Sequence, residues 1–124
     1  MEATVNKQAA INGYEAFSAM DPEGAMKDIS DSIEWVVKGD NALTGTYRGK
    51  DQVGQLWMKV VEKGFSTRPT EFIAENDKVV VLCDVEINGE QSQSVDVLSY
   101  DPDGKLIRFE TYGDEQILNR AFPR

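Results

Sequence analysis

Asp96 is the residue of this 124-residue chain best placed to do chemistry, because the alternation around it puts a carboxyl on a face that is otherwise apolar. Val79, Val81, Cys83, Val85 and Ile87 form one side of a period-two run, while Lys78, Asp84 and Glu86 interrupt the other. Asn88-Gly89 follows at once, and an Asn-Gly loop between alternating runs is a strong hairpin signal because both residues tolerate positive φ. Pairing Ile87 with Glu90 across that loop sets Val85 against Ser92, Cys83 against Ser94, Val81 against Asp96 and Val79 against Leu98. A carboxyl among valines is costly to bury ionised. It is therefore protonated, hydrogen-bonded by Tyr14 or Trp35, or held at a wet pocket mouth. A protonated acid facing a pocket can donate a hydrogen bond or a proton to a developing oxyanion.

The turn Asp101-Pro102-Asp103-Gly104 returns the chain into Lys105 to Tyr112. A two-residue loop would set Asp96 opposite Phe109, whereas a three-residue loop with a glycine bulge would set it opposite Glu110. Ile107, Phe109 and Thr111 are together more apolar than Leu106, Arg108, Glu110 and Tyr112, so periodicity favours Phe109 and puts the first set beside Asp96. With Trp35 facing inward from an earlier strand, the candidate site is Asp96 as the catalytic group, lined by Tyr14, Trp35, Phe109 and Thr111. Trp35 and Phe109 have a plainer role as core packing in a small domain. Relocating a proton needs a donor and an acceptor, and Tyr14 and Glu110 are the available second titratable groups.

Other residues read more simply. Cys83 sits mid-strand on the apolar face, where a thiol behaves as a small hydrophobe. Tyr47, between Gly45 and Gly49, is either a pocket rim or a surface turn residue. Asp101 and Asp103 share a tight turn with proline and glycine, which is turn chemistry rather than a calcium loop. The chain has no histidine and one cysteine, so imidazole mechanisms, histidine-based zinc sites and an internal disulfide are excluded. No metal and no cofactor is expected. Thirteen basic against 22 acidic residues give a net charge of -9, which disfavours nucleic acid and anionic membranes as partners. Glu2, Lys7 and Glu15 interrupt the first twenty residues, so neither a signal peptide nor a span is expected there, and the cytoplasm is the default location.

The elements that must position these residues follow in order. Residues 4–20 read as a helix with Val5, Ala9, Tyr14 and Phe17 near helical spacing. Asp21-Pro22 closes it and opens a short second helix to about Asp28. Ile33 to Lys38 is a first strand, Gly39 to Lys50 a loop, and Asp51 the cap of a third helix whose stripe is Val53, Leu56, Trp57, Val60 and Val61. Ser66 to Glu75 is a strand in which Pro69 signals an edge or a bulge. The three strands around Asp96 follow, and Asp114 caps a terminal helix of a turn or two. The sum is one α+β domain over residues 1–124, in the order ααβαββββ with a short C-terminal α.

That order, with Tyr14-Glu15-Ala16-Phe17 before Asp21, Ile33-Glu34-Trp35, Gly45-Thr46-Tyr47-Arg48-Gly49, Asp103-Gly104-Lys105 and Arg108-Phe109 through Tyr112 to Asp114, resembles the SnoaL-like and ketosteroid-isomerase-like branch of the nuclear-transport-factor-like superfamily. The resemblance implies a curved, mostly antiparallel sheet with three helices forming a cone around a pocket, often as a homodimer. It implies a range of chemistries, including isomerases, polyketide cyclases, epoxide hydrolases and members without evident chemistry. Asp96 falls where the isomerases keep a protonated aspartic acid in an oxyanion hole. Their general base would sit near Val37, which accepts no proton, and their helix-one tyrosine at Gly13, next to Tyr14. The acid that cyclases and epoxide hydrolases keep on the last strand corresponds to Thr111.

Two functions are therefore expected to compete. One is a cofactor-independent acid/base isomerase or cyclase acting through Asp96 on a small hydrophobic, carbonyl-bearing molecule. The other is a non-catalytic ligand-binding or dimerisation module. Val80, Leu82, Val95 and Val97 make the outer face of the central strands apolar too, so a homodimer through that face is expected.

Overall fold

The computed structural model of the chain describes residues 2–124. Helix α1 (Glu2–Ser18) and helix α2 (Pro22–Met26) lead into strand β1 (Ile29–Val37), the short strand β2 (Gly45–Arg48) and helix α3 (Gly49–Glu62). Strands β3 (Ser66–Glu75), β4 (Lys78–Ile87), β5 (Glu90–Tyr100) and β6 (Leu106–Tyr112) follow, and helix α4 (Glu115–Ala121) closes the fold. The strands form one six-stranded sheet in the order β2-β1-β6-β5-β4-β3. All neighbours are antiparallel except β1 and β6, which run parallel, so the architecture is the expected α+β with a mostly antiparallel sheet.

The β4–β5 hairpin has the expected register, with Ile87 opposite Glu90 and Val81 opposite Asp96. Asn88 and Gly89 take φ of 53° and 83°, the left-handed pair that this loop requires. The β5–β6 register corrects the expectation that Asp96 faces Phe109. Asp96 pairs with Thr111, and Phe109 pairs with Leu98. The loop is the three-residue form, closed by the Asp101 N–H on the Lys105 carbonyl at 2.9 Å, with Gly104 at φ 80°. A second irregularity between Ser99 and Tyr100 leaves Ile107 without a partner and adds one more residue. Two shifts of one residue restore the original face, so Phe109 and Thr111 still point inward, while Leu106 replaces Ile107 in the buried set.

Three further expectations are corrected. The segment read as a loop contains β2, a four-residue edge strand that takes its ladder from the end of β1, Glu34 to Val37. Helix α3 begins at Gly49 rather than at Asp51, and the Arg48 N–H is satisfied by Gln52 Oε1 at 2.8 Å. On α1 the inward stripe is Asn6, Ala10 and Tyr14, spaced by four, and Val5 is exposed. The edge reading of Pro69 holds, since β3 is the last strand and its register slips between Pro69 and Glu71.

Helices α1 and α3 lie on one face of the sheet, α1 against β3 and β4 and α3 against β1 and β2. Val53, Leu56 and Val60 of α3 meet Ile33, Val79, Val81 and Ile87 of the sheet in one core. These helices do not close completely over the strands. A cavity of about 150 Å³ remains between them, and the inward face of β5 and β6 forms its wall.

Candidate functional site

Alternation along β5 places Ser94, Asp96 and Leu98 on the cavity wall, and Phe109 and Thr111 of β6 stand beside them. Asp96 is only 4% exposed. Its Oδ1 accepts a hydrogen bond from the Thr111 hydroxyl at 2.9 Å, and its Oδ2 accepts from the Tyr14 hydroxyl. The Cys83 thiol lies 3.6 Å from Oδ2. Tyr14 reaches this point because its four-residue spacing from Ala10 turns it off α1 into the cavity, where its ring meets Phe72 edge-on at 5.7 Å.

Burial raises the Asp96 carboxyl above the ordinary carboxylate range, and the three donors pull it part of the way back. Burial first, then the neighbouring Asp96 charge, pushes the Tyr14 phenol well up. The same two causes push the Cys83 thiol up to about 12, which makes it a poor nucleophile. Among the described residues no cation partners Asp96. Lys105 binds the Lys27 carbonyl, while Arg108 pairs with Glu34 and Glu110 on the opposite face of the sheet.

The second titratable group in the cavity is Asp114, which sequence reasoning took for a helix cap. It occupies the residue before α4, yet its side chain makes no capping hydrogen bond and instead lines the cavity at 8% exposure. Burial raises its carboxyl to about 7, with the charges of Asp96 and Glu115 adding to the effect and its own backbone N–H, then Lys38, opposing it. Gly113 aims it there. That residue holds φ 105° so close to β5 that a Cβ would stand 2.5 Å from the Gln93 carbonyl oxygen. No signal in the sequence separates an aspartate that caps from one turned inward by the glycine before it.

Of the expected lining, Tyr14 and Thr111 are brought to Asp96 by hydrogen bonds, and Trp35 and Phe109 line the same cavity. Trp35 stacks on Phe109 with centroids 3.7 Å apart and meets Trp57 edge-on at 5.5 Å. Trp35 therefore supplies an aromatic wall and no hydrogen bond to Asp96. Glu110, considered as a second acid, faces the other side of the sheet and pairs with Lys38 at 3.2 Å. Tyr47 is outside the cavity and donates to the Leu43 carbonyl at 2.7 Å. Asp101 spends its carboxylate on the Asp103 and Lys105 N–H groups, both at 2.9 Å, as a turn residue does. No cluster of metal-ligating side chains occurs among the described residues. What remains is an apolar, aromatic-walled cavity holding two carboxyls, one bound by three side-chain donors and one by its own backbone N–H alone.

No protein-family model and no curated protein matches the sequence. Solved structures do. An NTF2-like protein of unknown function from Burkholderia pseudomallei is 25% identical, covering 97% of this chain and 98% of its own, with a TM-score of 0.84. TerC, crystallised with polyporic acid, is 26% identical over 94% of this chain and 96% of its own, with a TM-score of 0.83. A proposed polyketide cyclase from Sinorhizobium meliloti has the same fold at 16% identity and a TM-score of 0.74, covering 84% of this chain and 93% of its own. With near end-to-end superposition on such proteins and a cavity enclosed between one sheet face and its helices, the chain belongs to the NTF2-like superfamily.

Proposed function

We propose that this chain binds a small, hydrophobic, carbonyl-bearing molecule and moves a proton on the carbon next to its carbonyl. The observation that carries the reading is the pair of buried carboxyls, Asp96 and Asp114, on one apolar cavity with different hydrogen-bonding states. Asp96, in its protonated form and steadied by Tyr14 and Thr111, donates a hydrogen bond to the carbonyl oxygen. The Asp114 carboxylate removes a proton from the adjacent carbon. The C–H pair becomes the carbon–carbon double bond of an enolate, and the carbonyl π pair moves to the oxygen that Asp96 faces. Return of the proton from Asp114 to a different carbon of a conjugated enolate completes an isomerisation without a cofactor, whereas in a ring closure the enolate carbon bonds to a second carbonyl carbon of the ligand, whose π pair moves to its oxygen and takes the proton.

The cavity size supports a one-ring ligand, since a cavity of about 150 Å³ in another protein admits benzene. Trp35 and Phe109 offer such a ring a flat wall. The co-crystallisation of TerC with polyporic acid and the proposed cyclase activity of the Sinorhizobium protein agree with a small-molecule role. The test is deuterium incorporation beside the carbonyl of a panel of monocyclic ketones in heavy water, read by mass spectrometry. Enzyme-dependent exchange lost in Asp114→Asn and in Asp96→Asn is the expected result. Ketones that bind without any exchange would favour the second reading, a non-catalytic binding module.

The proposal extends to assembly and location. The outer sheet face exposes Ile73, Val95 and Tyr112 around half-buried Val80, Leu82 and Val97, an apolar patch suited to a second copy of the chain. No described helix is long and apolar enough to cross a membrane. A homodimer working in the cytoplasm accords with both.

A further inference from the structure

One buried hydroxyl on the cavity wall remains outside the Asp96 network. Ser94 is 3% exposed, and its Oγ has no hydrogen-bond partner among the described residues. Ser94 lines the cavity. Ser94 is paired across the sheet with Cys83 of β4, whose thiol shares its face. That thiol is committed elsewhere, 3.6 Å from Asp96 and 3.9 Å from the Val81 carbonyl. An unpartnered buried hydroxyl costs free energy, and one that faces a cavity can be completed by a polar group of a ligand.

We propose that Ser94 is a hydroxyl-binding subsite, so that the ligand is a monocyclic ketone carrying a second oxygen as a hydroxyl group. The proposal rests on the reading of Asp96 as the partner of the carbonyl oxygen. Ser94 and Asp96 sit two residues apart on one face of β5, which separates them by about 7 Å along the strand. That is the scale of a six-membered ring bearing oxygen functions at opposite ends. A serine hydroxyl both donates and accepts, as does a ligand hydroxyl, so Ser94 can hold one in either sense. Specificity follows from the same chemistry. A site built to hydrogen-bond a ligand hydroxyl rejects the analogue lacking it more sharply than an apolar pocket rejects an extra methylene.

The test compares acetophenone with 4-hydroxyacetophenone, titrated into the wild-type chain and into Ser94→Ala and followed by tryptophan fluorescence and by NMR shifts of the Trp35 indole. The wild type should bind the hydroxylated ketone about tenfold more tightly, and Ser94→Ala should bring the two affinities within about twofold of each other. Equal binding of both ketones by the wild type, or a preference that survives in Ser94→Ala, would overturn the subsite while leaving the Asp96 reading intact. If neither ketone binds the wild type, the Asp96 reading fails and the subsite falls with it. The ligand-free variant supplies a second readout. Removing an unpartnered hydroxyl should hold or raise the melting temperature, and a clear fall would show that the fold itself uses that hydroxyl.

Discussion

The proton balance of the cavity turns on Asp114. Its carboxyl is raised to about 7 by burial, Asp96 and Glu115, so the folded chain keeps a proton that the unfolded chain releases near the ordinary aspartate value. A group that binds its proton more tightly when folded contributes stability that is full below the unfolded pKa and is lost as pH rises through the folded one. Stability should therefore fall between roughly pH 4 and pH 7, by up to about 1.4 kcal/mol per pH unit from this group, and Asp96 adds to the slope with the same sign. Urea midpoints across that range should be flatter in Asp114→Asn, and a variant curve parallel to the wild type would contradict the assignment. Glu34 and Glu110 act in the opposite sense, because hydrogen bonds from Arg48 and Lys38 respectively hold them low. What they contribute is lost only as pH falls through the acid range, and both are too exposed to contribute much. Cys83 supplies an independent check. With its thiol at about 12 and its side chain buried, iodoacetamide at pH 8 should label it only as fast as the chain unfolds. Labelling at the rate of a free thiol would mean that the wall beside Asp96 is open.

Between elements, the link from β6 to α4 decides where Asp114 points. Gly113 at φ 105° lies against the Gln93 carbonyl, so Gly113→Ala both strains the backbone and forces β6 away from β5. A loss of roughly 1–3 kcal/mol in urea unfolding is expected, with the Asp114 carboxyl returning toward its ordinary value by carbon-detected NMR. An unchanged titration would place the control of Asp114 elsewhere. Trp35 on β1 carries the aromatic wall, and Trp35→Phe keeps most of the apolar area. It should cost less than about 2 kcal/mol yet weaken binding of hydrophobic probes, whereas a larger loss would make Trp35 a core residue. These elements were unequally legible. Asn88-Gly89 specified one hairpin because its loop admits a single register, and Asp96 with its valine neighbours followed from it. The β5–β6 register was not readable, because the bulge at Ile107 leaves no compositional mark. β2 escaped notice because an edge strand of four residues beside two glycines has the composition of a loop. Asp114 was visible as a residue and mistaken in role, since its direction depends on a contact between Gly113 and β5 that lies outside any local pattern.

At the scale of the whole molecule, the sheet is covered on one face by helices and bare on the other. The bare face is divided. On the β1 and β6 side Glu34, Arg48, Arg108, Glu110 and Lys38 form a ladder of ion pairs. On the β3, β4 and β5 side Ile73 pairs with Val80 and Val80 with Val97, while Leu82 pairs with Val95 and Val95 with Tyr112. An apolar centre beside a charged rim is the usual anatomy of an interface, and a net charge of -9 keeps copies apart unless such a patch draws them together. Val97 lies between Val80 and Glu110, at the boundary of the two regions. Val97→Asp would place a second carboxylate beside Glu110, and enclosing both in an interface would cost far more than leaving them in water. Sedimentation at micromolar concentration should find the wild type dimeric and Val97→Asp monomeric with its fold retained by circular dichroism. A monomeric wild type would end the dimer proposal and leave the cavity chemistry unaffected, since every group assigned to it comes from a single copy of the chain.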